Sequence, residues 1–161
     1  MTSAKAQLPS PVQLDLGMDV AGPGQHVFVP VTFSKSESTV VRLVFKASFS
    51  REKLLYSETL PGEAVKTADV EIKADITDPT KGGDQIELQV EISSDQGLPP
   101  GELLRISFQI SENAELNEDI IVKNSFLSVE TVDGEDLQVV GSDGIIAIIA
   151  NAFFACLFYM H

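Results

Sequence analysis

Between Val41 and Phe49 every second residue is apolar: Val41, Leu43, Phe45, Ala47 and Phe49, with Arg42, Lys46 and Ser48 falling between them. A two-residue period sets one face of a strand against a core and the other in water. The run is rich in β-branched and aromatic residues, which fit a half-buried pleated surface. It stops at Ser50, Arg51, Glu52 and Lys53, where consecutive polar residues leave nothing to bury. Leu54, Leu55 and Tyr56 return the chain to the core, and Leu60, Pro61 and Gly62 break it again. The same period recurs in Val12 to Met18, His26 to Phe33, Ala68 to Ile76, Gln85 to Ile92 and Leu104 to Ile110; Ile120 to Val129 resumes strand character, Leu137 to Val140 closes the pattern, and Gly144 to Ile149 reads as a last strand. Glycine, proline and aspartate turns separate these runs, as in Ala21 to Gly24, Asp78 to Asp84 and Ser93 to Gly101. Pro30 cannot donate to a ladder, which predicts an edge or bulged strand for His26 to Phe33. No segment sustains a 3.6-residue period. About nine short strands with turns between them predict an all-β chain, an antiparallel β-sandwich or barrel.

A chain of 161 residues fits one domain, expected here over residues 12–149. With 24 acidic and 11 basic residues the net charge is −13, which disfavours nucleic acid and anionic lipid as partners. The only histidines are His26 and His161, so a two-histidine metal site or a Ser-His-Asp relay within one chain is not expected, and the chain reads as no enzyme. No metal or cofactor is expected either. Asp75, Asp78 and Asp84 flank Gly82 and Gly83 without the ordered spacing of a calcium loop and read as a solvated acidic loop. The single cysteine, Cys156, permits no internal disulfide. Residues 1–11 read as a disordered N-terminal segment without the apolar core of a secretory signal. Residues 150–161 form an apolar tail, read as a membrane anchor or a truncated end; the apolar stretch counted from Ile145 to Met160 is slightly short of the roughly 20 residues that span a bilayer and has Asn151 near its middle.

The order of these features resembles the cohesin domain, the nine-stranded jelly-roll module of scaffoldins. Four stretches carry the resemblance: GPGQHVFVPVTF (Gly22 to Phe33), FKASFSREKLLYSETLPG (Phe45 to Gly62), PGELLRISFQI (Pro100 to Ile110), and the pair Asp133-Gly134 and Asp143-Gly144 with the isoleucine-rich strand behind it. In the second of these, Phe49-Ser50-Arg51 stands where the family has Tyr-Asp-Pro. The resemblance implies protein binding through a flat sheet face that docks a calcium-loaded dockerin, with calcium entering only through that partner. By position it assigns Arg42, Val44 and Lys46 to the docking face and Glu91, Ser94 and Gly97 to the neighbouring strand. Arg42 and Lys46 are basic where cohesins typically place acidic or amide groups. It also implies an extracellular or cell-surface assembly linked to polysaccharide breakdown. A polysaccharide-binding module remains an alternative, weakened by the absence of tryptophan and by having only Tyr56 and Tyr159 to stack sugars. A ligand-free structural or adhesion domain is the third reading.

Overall fold

The computed structural model describes residues 11–34, 37–79, 81–134 and 137–150, with the backbone alone at positions 126 and 127. The expected N-terminal segment and apolar tail therefore lie, apart from Pro11 and Ala150, outside the described residues. The strands are β1 (Val12–Leu16), β2 (Met18–Ala21), β3 (His26–Phe33), β4 (Val40–Ser50), β5 (Leu54–Pro61), β6 (Glu71–Thr77), β7 (Gln85–Ser93), β8 (Gly101–Ile110), β9 (Asp119–Thr131), β10 (Val139–Val140) and β11 (Gly144–Ile148), with one 3₁₀ turn at Glu63–Val65. They form two sheets, ordered β10-β1-β3-β8-β5 and β2-β11-β9-β4-β7-β6, and the all-β sandwich expected from the alternation is the observed fold.

The core lies between the sheets. Leu43, Phe45, Ala47 and Phe49 of β4 face it at 0–2 % exposure, opposite Val29, Leu104, Ile106 and Phe108 of the first sheet. Phe108 stacks edge-on against Phe49, with ring centroids 4.9 Å apart, and against Tyr56 at 6.4 Å. Such edge-to-face contacts add to the burial energy of the rings.

The structure departs from the expected strands in three places, each with a local cause. Val12 to Met18 is split at Gly17, where the chain leaves the first sheet for the second. The Gly17 amide donates to the Pro30 carbonyl at 2.8 Å, and a Cβ there would come within 2.6 Å of the Pro30 ring. Pro30 itself lies in β3, which is an interior strand, so the edge placement is corrected; the bulge alternative is met one residue on, where pairing with β8 shifts between Val31 and Thr32. Proline is tolerated inside the sheet because β1 pairs with β3 only from Val31 onward, so Pro30 faces the Gly17 crossing and no ladder partner lacks a donor. The stretch after Lys53, read as a short apolar run and a break, is the full strand β5, whose pairing with β8 shifts between Tyr56 and Glu58. Two of the pairings, β1 with β10 and β2 with β11, are parallel.

Candidate functional site

The outer face of the second sheet is built outward from β4. In antiparallel pairing, directly opposed residues share a face, so the register fixes its composition. Arg42 stands between Glu130 on β9 and Ser93 on β7; Val44 between Ser128 and Glu91; Lys46 between Ser125 and Gln89; Ser48 between Lys123 and Glu87. Beyond β7, the edge strand β6 adds Glu71, Lys73, Asp75 and Thr77. At these positions the four strands lay out a plane of five carboxylates and four cations.

Most of the charges are tied to one another. The Arg42 guanidinium reaches Glu91 Oε1 at 2.6 Å and Glu130 Oε2 at 3.6 Å, bridging three strands. Lys46 Nζ lies 3.3 Å from Glu87 Oε1, and Lys73 Nζ 3.6 Å from Glu71 Oε1. The hydrogen bond from Arg42 holds the Glu91 carboxyl below the usual carboxylate range, and the same bond raises Arg42 above its ordinary value. Exposed pairs of this kind contribute little stability each. Their effect is to hold long side chains in one orientation across the sheet. Lys123 on β9 and Asp75 on β6 stand apart, with no ion-pair partner among the described residues.

The expected site residues divide. Arg42, Lys46 and Glu91 lie together on this face, and Arg42 touches Glu91 directly. Val44 has outward parity but is only 4 % exposed, so it offers a partner almost no surface. Ser94 is corrected from a face residue to a buried one at 7 % exposure. The cause is parity: Glu91 and Ser94 are three residues apart, and a two-residue period cannot turn both outward. The Ser94 amide donates to the Val41 carbonyl at 2.9 Å, and its carbonyl accepts from Gly97 at 3.2 Å. Gly97 has φ +101°, and a Cβ there would meet Thr39 Cγ2 at 2.6 Å. Both residues therefore shape the turn that seats β7 against the start of β4. Two of the three carboxylates read as an acidic loop are engaged locally, and the third, Asp75, lies in β6: Asp78 pairs with Arg51 and accepts from the Gly82 amide at 2.9 Å, while Asp84 accepts from Ser50 Oγ at 2.7 Å. Sequence reasoning placed Asp75 in the acidic loop and missed Glu130, Lys73 and Lys123: alternation marks Lys73 as outward without placing it near β4, while Lys123 and Glu130, seven residues apart, share a face only because the pairing of β9 with β4 shifts register between Val44 and Phe45.

A family model for the cohesin domain matches residues 12–148. The chain belongs to the cohesin domain family. Among solved structures it resembles the non-cellulosomal cohesin from the hyperthermophilic archaeon Archaeoglobus fulgidus, at TM-score 0.72 and 18 % identity over 94 % of this chain and 100 % of that one. It also resembles the third ScaC cohesin of Acetivibrio cellulolyticus, solved in complex with the ScaB dockerin, at TM-score 0.71 and 20 % identity over 86 % and 99 % of the two chains. The OlpA cohesin of Clostridium thermocellum, solved in a type I cohesin–dockerin complex, matches at TM-score 0.71 and 15 % identity over 87 % and 100 %. No curated protein sequence matches significantly.

Proposed function

We propose that this cohesin domain is a non-catalytic docking module whose outer β9-β4-β7-β6 face receives a calcium-loaded, dockerin-type protein in an extracellular or cell-surface assembly linked to polysaccharide breakdown. The observation that carries the reading is the plane around β4. Its charges are oriented in pairs across four strands, which gives a flat, preorganised and nearly neutral surface, and preorganised side chains lose little entropy on binding. Family membership and relatives solved with dockerins supply the partner class. Calcium belongs to the partner. No chemistry is asked of this chain beyond contact.

The test is isothermal titration of the full chain with a panel of calcium-loaded dockerins, with and without chelator. Binding that disappears on chelation and weakens about tenfold or more in Lys46→Glu supports the reading, since reversing that charge leaves Glu87 repelled and unpaired at the centre of the face. Failure of every dockerin in the panel to bind refutes it.

A further inference from the structure

One end of this same face differs in character from the rest. On β11, Ile146 and Ile148 are buried, so Ile145 and Ala147 point outward; on β9, Ile120 and Val122 are buried, so Ile121 points outward. The register sets Met18 of β2, Ile145 of β11 and Ile121 of β9 in one rung, with Val20 beside Ala147 in the next. Met18 is 67 % exposed, Ile121 48 % and Val20 47 %, a contiguous aliphatic strip on the outside of a sheet whose remaining outer face is polar. Continuing the rung across β4 reaches Ser50 and then Gln85. The two small residues Ser48 and Ser50 leave a hollow of about 410 Å³ there, walled by Asp119, Ile121 and Lys123 on one side and by Asp84 and Gln85 on the other, with Lys53 also lining it. Lys123 and Asp119, two residues to either side of Ile121 and on the same face, have no ion-pair partner among the described residues.

A solvated face does not gather exposed aliphatic residues into one strip, and contiguous apolar surface of this kind marks contact sites. The strip is continuous with the ion-paired plane, and the hollow opens beside Ile121 at its end. Binding energy concentrates where an apolar anchor enters such a hollow surrounded by polar contacts. We infer that the Met18–Ile145–Ile121 strip and the Ser48–Ser50 hollow beside it anchor the protein partner, which presents an aliphatic side chain to Ile121 at the rim of the hollow and a carboxylate to Lys123. This rests on the docking reading above and assigns its specificity to β9, β11 and β2 rather than to the paired charges of β4. A second copy of this chain is the weaker occupant, because two molecules of net charge −13 repel one another.

The experiment titrates the full chain and its Ile121→Thr, Ser48→Trp and Lys123→Glu variants with the calcium-loaded dockerin panel, beside Lys46→Glu. Ile121→Thr keeps a β-branched residue in the strand, and Ser48→Trp fills the hollow from an outward position, so thermal unfolding midpoints close to the parent's are expected for both. Each of these two variants is expected to raise Kd about tenfold or more, and Lys123→Glu to raise it several-fold with a weaker salt dependence. Unchanged affinity in Ile121→Thr and Ser48→Trp, alongside a loss in Lys46→Glu, overturns the anchor and leaves the docking reading standing. Absence of binding by the parent chain overturns both. A concentration-dependent dimer of the parent that Ile121→Thr abolishes assigns the strip to a second copy and overturns the partner assignment.

Discussion

Replacing Asn124 by Asp is expected to destabilise the fold by about 2–4 kcal/mol at neutral pH and to give a deficit that shrinks as the solution is acidified. Asn124 sits on β9 with its amide nitrogen donating to the Leu14 carbonyl at 2.9 Å and to the Ser142 carbonyl at 3.3 Å, so one side chain ties β1 and the approach to β11 to the second sheet. Its backbone amide donates to Asp143 Oδ1 at 2.8 Å, and Asp15, which accepts from the Ser142 amide at 2.8 Å, lies in the same cluster. Two backbone oxygens demand a donor at this position. An ionised aspartate would remove both hydrogen bonds, each worth about 1 kcal/mol net, and set a charge against two carbonyls beside two existing carboxylates. That environment raises the folded-state pKa of the new carboxyl above its unfolded value near 4. The variant's penalty is therefore largest above the raised folded value, falls as pH drops through it, and is smallest below the unfolded value, where the protonated group donates one bond. Urea unfolding from pH 3 to pH 8 reads this directly, and thermal unfolding at neutral pH reads the same penalty as a Tm loss of roughly 4–16 °C for a domain of this size. A deficit below about 0.5 kcal/mol at pH 7, or one that grows on acidification, refutes the reasoning.

Phe108→Ala removes a ring with 0 % exposure that packs edge-on against Phe49 and Tyr56, and it is expected to cost about 3–5 kcal/mol in chemical denaturation; a loss under about 1 kcal/mol would mean the core collapses around the gap. Glu91→Gln tests the face. Because Arg42 depresses the Glu91 pKa in the folded chain, that group's contribution is present above the ordinary carboxylate range and is lost as pH falls through the depressed value. The variant is accordingly expected to show a flatter acid limb in its stability-versus-pH curve than the parent, and identical limbs would place the pair's influence elsewhere.

The parity of single strands was legible in the sequence. Leu43, Phe45, Ala47 and Phe49 are buried as their spacing requires, and in β7 Leu88, Val90 and Ile92 are buried with Gln89 exposed between them. Parity fails where a bulge inserts a residue. In β5 the shift after Tyr56 sets Thr59 and Pro61 on the side of Leu54 and Tyr56, and sends Glu58 and Leu60 outward, so the alternation that would have announced a strand is broken halfway. Which strands lie side by side was not legible, because β4 is flanked by β7 and β9, which begin 35 and 69 positions after its last residue, with β5 and β6 of the intervening chain paired elsewhere. Glu130 and Arg42 are neighbours only through that topology. Ser94 is different: its inward parity followed from the spacing to Glu91, and placing both on one face contradicted the period that identified the strand.

The electrostatic character of the face also belongs to the sheet and not to a strand. Read alone, β4 presents Arg42 and Lys46 and looks basic. Strands lie about 4.8 Å apart, well inside a Debye length of about 8 Å at physiological salt, so an approaching partner senses neighbouring strands together. β7 and β9 bring Glu91, Glu87 and Glu130 to those two cations, and the patch becomes close to neutral. The basic residues that set β4 apart from the family's usual third strand are thereby neutralised from both sides. Among the described residues, the charges of the plane without an ion pair are Lys123 and, two rungs further along β9, Asp119 at one edge and Asp75 at the other, separated by β4 and β7. A near-neutral plane steers a partner weakly from a distance and discriminates at contact, where each unpaired charge either meets its complement or is desolvated without one. Under the proposed docking function, selection by this face would rest on the partner's side chains at its edges and at the aliphatic strip, with the paired charges between them as the floor against which that fit is made.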